Sequence, residues 1–304
     1  MTGNRVRAAA LSIGVDARAA LWPGAHGVVI AAFRRSACLR LPGGVVCIGD
    51  TWIGEGPINI LCQAAPGRDW REIVEVGAEA SIAGDLLLLP GVEAALTPAG
   101  TWSPRPPPRT DAVTLAAGLS ALAEELPPDL PAGGLGVLLA PDGAAEDDVA
   151  RAAAPAVVRL AAWLGDGVGC AQAFPEDAAR SLLGLGPGLT PSGDDFLAGV
   201  AVGLRSLGAH RHHARLAEAV AALAGECTNE ISAAHLAAAL RGRLRADLHL
   251  VIDAVLAADR GAIASGLRRL RAEDHHSPWD ALAGFAAAAR ACCGGLAATM
   301  GELA

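Results

Sequence analysis

The sequence predicts an α+β protein: a small, mostly antiparallel, barrel-like β domain over residues 1–104, then a larger Ala-rich helical domain over residues 105–304. Three observations carry this reading. Before residue 105, short runs rich in β-branched residues alternate with glycine turns. After it, apolar residues recur at helical spacing through stretches dominated by alanine. Between the two, Ser103-Pro-Arg-Pro-Pro-Pro-Arg109 cannot be helical and reads as a stiff, extended connector. The composition agrees. Of 304 residues 52% are hydrophobic but only 3% aromatic, and tyrosine is absent, which favours close-packed helices of small side chains over an aromatic-rich sandwich.

In chain order, His26-Gly-Val-Val-Ile-Ala-Ala-Phe33 reads as a strand. Ala37–Leu41 and Val45–Ile48 form a hairpin around Pro42-Gly43-Gly44, and Ile58–Cys62 and Asp85–Leu89 are further strands. Beyond the connector, Thr110 can cap a helix running to about Leu126. A helix over 145–164 carries Pro155, which implies a break or kink. Further helices are expected over 194–207, 212–225, 229–241, 244–258, 260–271 and 278–302, separated by Gly-containing breaks.

Charge and residue usage exclude several classes of function. A formal charge of −8 argues against general nucleic-acid binding, which needs a clustered basic surface. Lysine is absent and all 24 basic residues are arginine, so Schiff-base catalysis and a Walker-type phosphate loop are both excluded. The seven cysteines show no CxxC spacing, so reduced thiols are expected rather than a zinc ribbon or a disulfide framework. The N-terminus is a poor signal peptide, and no apolar run approaches the ~18 residues a membrane span would need. A cytoplasmic protein follows, with no membrane or nucleic-acid partner and no cofactor.

The densest chemistry lies at Gly184-Leu-Gly-Pro-Gly-Leu-Thr-Pro-Ser-Gly-Asp-Asp195. Four glycines let a ligand approach the backbone, and Pro187 and Pro191 restrict the loop. Ser192 stands where an N-cap belongs, with Asp195 three residues later in the capping-box pattern. A glycine-rich loop meeting a helix N-terminus offers free N–H groups and about half a unit of positive charge, which suits phosphate or carboxylate. Asp194 and Asp195 complicate that picture, because two ionised carboxylates would repel an anion. One of them must cap, bind an amide N–H₂ or a cation, or act as a base. The loop therefore fits a ligand with both an anionic and an N–H end. A Gly/Pro turn before a helix is also ordinary local structure; what exceeds capping is the number of permissive, rigid and polar residues in twelve positions.

Ser192-Gly-Asp-Asp-Phe-Leu-Ala-Gly199 has an echo at Ser277-Pro-Trp-Asp-Ala-Leu-Ala-Gly284, matching at Ser, Asp, Leu, Ala and Gly. It marks two related helix starts headed by Asp195 and Asp280, facing one pocket. Between them, Thr228 or Asn229 can cap a helix that carries Ser232 and His235 one turn apart. The expected catalytic residues are thus Asp194, Asp195 and Asp280. The expected ligand-binding residues are Gly186, Gly188, Thr190, Ser192, Gly193, Thr228, Asn229, Ser232 and Ser277. His210, His212, His213, His275 and His276 are of metal-ligand type, but adjacent histidines on a loop point apart, so no metal is expected. Cys292-Cys293 reads as buried helix, Arg268-Arg269-Leu-Arg271 as a solvated helix face, and Thr51–Pro57 as a turn-rich loop.

The segment Gly184–Gly199 resembles the hallmark of the AllH-type subunit of oxamate carbamoyltransferase. The likeness extends more loosely over the β region, the helices, the Thr228–Ser232 segment and the second Ser/Asp/Gly helix start. What this resemblance implies is a part in purine and allantoin catabolism, where oxalurate and phosphate yield oxamate and carbamoyl phosphate. It also implies companion subunits, since that activity is attributed to three kinds of chain together; a homo-oligomer is compatible as well. The chain lacks the Ser-Thr-Arg-Thr loop of aspartate- and ornithine-type carbamoyltransferases and is not one of those. The function expected is a carbamoyltransferase or a subunit of one, binding an anionic ureido or carbamoyl ligand. The alternatives are a non-catalytic metabolite-binding or scaffolding subunit and a metal-dependent hydrolase.

Overall fold

A computed structural model describes residues 6–63, 69–97, 99–140, 147–165, 172–272 and 275–301. The chain divides into two compact units, Met1–Pro104 and Arg105–Ala304.

The first unit holds β1 (Val6–Gly14), α1 (Val15–Ala20), β2 (His26–Ala32), β3 (Ser36–Leu41), β4 (Gly44–Gly49), β5 (Asn59–Gln63), α2 (Trp70–Ile73), β6 (Glu79–Ala83), β7 (Leu86–Leu88), β8 (Val92–Ala95) and β9 (Gly100–Trp102). The strand order is β5-β4-β3-β2-β6-β7-β8-β1-β9, and a further β1–β5 pairing closes eight of these strands into a barrel. Barrel closure removes the open edges that invite aggregation. β1 makes the closure possible. A register shift between Ala10 and Ser12 bends it, so that its first half pairs with β8 and its last residues with β9. The same shift moves the inward phase from Ala8 and Ala10 to Ile13. Ile13, Val29, Leu39, Ile48, Ile60, Ile82 and Leu87 fill the core.

The expected strands and hairpin are present, with most pairings antiparallel and β4–β5, β1–β8 and β1–β9 parallel. The expectation of reduced thiols is corrected at one pair. The β3–β4 ladder sets Cys38 directly opposite Cys47, Cα atoms 4.2 Å apart, and the two form a disulfide. Cross-strand neighbours are invisible to a search for CxxC spacing. Cys62, Cys227, Cys292 and Cys293 are free, and burial pushes the Cys62 thiol up to about 12.

The second unit holds α3 (Ala112–Glu125), α4 (Asp148–Leu164), α5 (Glu176–Leu182), α6 (Ser192–Ser206), α7 (His210–Cys227), α8 (Glu230–Leu240), α9 (Ala246–Leu256), α10 (Arg260–Arg271) and α11 (Ser277–Gly301). α6 is its axis. From Phe196 to Leu204 it is buried on every face, as a central helix must be. α11 lies along it, α5, α7 and α8 pack on α6, and α3, α4 and α9 pack on α11.

Three local expectations change. Asp111, not Thr110, caps α3, its carboxylate accepting the Thr114 N–H. α4 runs through Pro155, which sits on the exposed face, as does Arg151, the residue whose carbonyl loses its helical partner there. Pro191 holds the cap position of α6, with ψ at 143°, and Ser192 becomes the first helical residue without a capping bond. Arg268, Arg269 and Arg271 lie exposed on α10. Among the described residues no helix is long and apolar enough to cross a membrane.

Candidate functional site

α6 and α11 run side by side in the same direction, so both N-termini open at one place. Glycine makes the approach possible. A Cβ on Gly199 would lie 1.8 Å from the Ala281 carbonyl oxygen, and one on Gly284 would lie 1.9 Å from that of Phe196. The next neighbours exchange in the same way: Gly199 meets Phe285 N and Gly284 meets Val200 N. In the alignment of Ser192–Gly199 with Ser277–Gly284 these are equivalent positions, so an approximate two-fold axis runs between the helices. The backbone entrances match as well. Asp194 and Asp195 N–H groups donate to Pro191 O, and Trp279 and Asp280 N–H groups donate to His276 O.

The two acids at the helix starts follow that relation. The Ser277 hydroxyl bonds Asp195 across the pair, and the Ser192 hydroxyl bonds Asp280. Asp280 is 1% exposed; its Oδ1 accepts N–H bonds from Leu135 at 2.6 Å and Gly136 at 2.7 Å. Asp195 keeps some surface as a residue, yet its Oδ2 is sealed from solvent. Asp195 Oδ2 and Asp280 Oδ2 are both buried without a geometrically sound hydrogen bond among the described residues. Burial pushes the Asp195 carboxyl well above the usual range, against the pull of the Ser277 and Thr190 hydroxyls and with added repulsion from Asp280 and Asp194. Burial likewise pushes Asp280 up to about 7, against Ser192 and the Gly136 and Leu135 amides, with Asp147 repelling it.

Asp194 is used differently. Its Oδ1 accepts the Gly184 N–H at 2.8 Å, and its Oδ2 accepts the Ser232 hydroxyl at 2.6 Å and the Thr228 hydroxyl. It thereby ties the start of the glycine loop and α8 to the first turn of α6. Asn229 caps α8 by accepting from the Ile231 and Ser232 amides, and its Nδ2 donates to Leu189 O at 2.8 Å, which pins the loop from the other side. Thr190 Oγ1 donates to Ser277 Oγ at 3.2 Å, joining the loop to α11.

The structure thus brings Thr190, Ser192, Asp194, Asp195, Thr228, Ser232, Ser277 and Asp280 into one polar cluster. Gly186, at φ +107°, curls the loop so closely over the helix start that a Cβ there would lie 2.9 Å from Ser192 N. Gly188 is exposed at the loop tip, while Gly193 sits in the first helical turn and faces Leu182, whose carbonyl oxygen would lie 1.9 Å from a Cβ there. Among the described residues, the N–H groups of Gly186, Gly188, Leu189, Thr190 and Ser192 make no hydrogen bond within the protein. They lie at the positive end of α6.

A second glycine run completes the far wall and was not read from the sequence. Gly133–Gly136 wraps Asp280, and it is held by Asp147, which caps α4 and accepts the Gly133 N–H. Burial alone would raise Asp147, but the Ala150, Gly133, Val149 and Gly134 amides hold it below the ordinary value. The run Gly133-Gly134-Leu-Gly136 before a helix-capping Asp is the signal that could have found it. The histidines do not converge: His212 lies against the Trp163 ring, His213 Nε2 meets Leu240 O, and His275 is exposed. No group of three or more His, Cys, Asp or Glu able to hold a metal occurs among the described residues.

Residues 182–289 match the family model of the oxamate carbamoyltransferase subunit AllH. That is the family resembled by the Gly184–Gly199 motif, and the match runs from the end of α5 through both helix starts into α11. Comparisons with curated proteins and with solved structures found no match.

Proposed function

We propose that this chain is a subunit of a carbamoyltransferase and holds an anionic carbamoyl or ureido ligand where α6 and α11 begin. The observation that carries the reading is the pairing of opposite needs at one place. The 186–192 loop offers amides unengaged within the protein, which suit an anion, and two buried carboxyl oxygens beside them receive no hydrogen bond of sound geometry. Carbamoyl phosphate, oxamate and oxalurate each carry an anionic end and an N–H end. The loop amides hold the phosphate or carboxylate, helped by the field of two aligned helix N-termini. Asp195 and Asp280 orient the nitrogen. Asp194, with both oxygens engaged, positions the loop.

Burial eases the charge difficulty read from the sequence. It raises the pKa of Asp195 and so favours its neutral form, which weakens its opposition to an incoming anion. Preorganised amides and fixed acids of this kind can lower an acyl-transfer barrier without a covalent nucleophile. The companion chains implied by the family name would supply the remainder of the site.

Calorimetric titration of the chain with oxamate and with carbamoyl phosphate tests the reading. Binding with a Kd of about 1 mM or tighter is expected, since several charge-assisted amide bonds form at once. No heat from either ligand, in a preparation whose full assembly turns over, would contradict it.

A further inference from the structure

The approximate two-fold axis between α6 and α11 passes between Asp195 and Asp280, and it leaves one donor-less oxygen on each side. Among the described residues neither oxygen receives a hydrogen bond of sound geometry, although the Ser277 and Thr190 hydroxyls act on Asp195 and the Ser192 hydroxyl on Asp280. Thr228 and Ser232 donate to Asp194, and Thr190 donates to Ser277. Among the described residues, further carboxylates repel the pair: Asp194 acts on Asp195 and Asp147 on Asp280. A buried acceptor without a donor is costly, and the two are arranged symmetrically about one line.

We propose that Asp195 Oδ2 and Asp280 Oδ2 together recognise a primary amide nitrogen placed on this axis, one N–H to each oxygen. The inference rests on the carbamoyl reading above and narrows it: the ligand ends in –CO–NH₂ there and carries no N-substituent. A primary amide nitrogen presents two N–H donors that diverge in one plane, one to each side of an axis through the C–N bond. A hydroxyl offers one donor, a carboxylate none, and an N-alkyl amide one. The symmetry breaks where the rest of the ligand must differ. The α6 side carries the open amides of the 186–192 loop for the anionic end, whereas on the α11 side the Leu135 and Gly136 amides are already spent on Asp280. The pair is therefore a specificity device for the nitrogen, and the loop is an anchor for the anion.

Three probes with one carboxylate end in common separate the possibilities when titrated into the full chain: oxamate, N-methyloxamate and oxalate. Oxamate should bind tightest, and losing one N–H should weaken binding about tenfold or more. N-methyloxamate or oxalate binding as tightly as oxamate would overturn the inference while leaving an anion site standing. Oxamate failing to bind at all would overturn the carbamoyl reading and this inference with it. Asp280→Asn keeps an oxygen for the Leu135 and Gly136 amides and replaces only the donor-less oxygen by an N–H₂ group. It should erase most of the discrimination between oxamate and N-methyloxamate. Asp195→Asn makes the same exchange from the other helix and should do the same; undiminished discrimination in a folded variant would contradict the pairing.

Discussion

Gly284→Ala should lower the stability of the protein by about 3 kcal/mol or more, the upper range for forcing extra volume into a packed core. The methyl group would lie 1.9 Å from the Phe196 carbonyl oxygen, a backbone atom of a helix buried on every face, so neither partner can give way by a rotamer change. Gly199→Ala should cost a similar amount, because its methyl would lie 1.8 Å from Ala281 O in the equivalent contact. Once one substitution has pushed the helices apart, the second should add less than its own share. Gly225→Ala is the control. Gly225 lies exposed in α7 with nothing near its would-be Cβ, so alanine should be neutral or stabilise by up to about 1 kcal/mol. Thermal unfolding of the three variants decides the matter: equal Tm values for Gly284→Ala and Gly225→Ala would refute the close helix contact.

Asp194→Ala should cost about 3 kcal/mol, because it strands three donors at once, the Gly184 amide and the Thr228 and Ser232 hydroxyls. Asp194→Asn should cost much less. Its oxygen can still accept the Gly184 N–H, and hydroxyls accept as well as donate, so Thr228 and Ser232 can turn to receive the new N–H₂ group. Denaturant unfolding of both variants measures the difference. If Asp194→Ala kept full stability and lost only ligand binding, the residue would face the ligand rather than clamp the loop.

The two-unit architecture was legible because each unit obeys one periodicity, with a proline-rich connector between them. The barrel was less so. β1 carries Ala8, Ala9 and Ala10, small residues with weak strand preference, and its pairing with β5, β8 and β9 arises only from closure. The Cys38–Cys47 pair was in fact readable. The hairpin turns at Pro42-Gly43, and counting back from Leu41 and forward from Gly44 sets the two cysteines opposite each other. A spacing rule written for metal sites passes over that register.

At the candidate site, local sequence located the glycine loop, its aspartates and the echo at Ser277–Gly284. It could not assign them. Asp194 and Asp195 are adjacent in the chain yet point to different partners, because successive helical residues are turned about 100° apart. Ser192 has the type and position of a cap, yet Pro191 holds that place and the Ser192 hydroxyl turns to Asp280 instead. The glycine run Gly133–Gly136 was visible in the sequence, but its partner was not, since it meets Asp280 from a distant stretch of chain through backbone amides, which carry no side-chain signature.

The central claim is that the starts of α6 and α11 form one ligand site, and hydrogen exchange of backbone amides tests it most directly. With oxamate bound, exchange should slow at Gly186–Ser192 and at Ser277–Asp280 together, with little change in the β unit. Protection of the 186–192 amides alone would reduce the site to one helix start. Protection confined to other segments would contradict the claim outright.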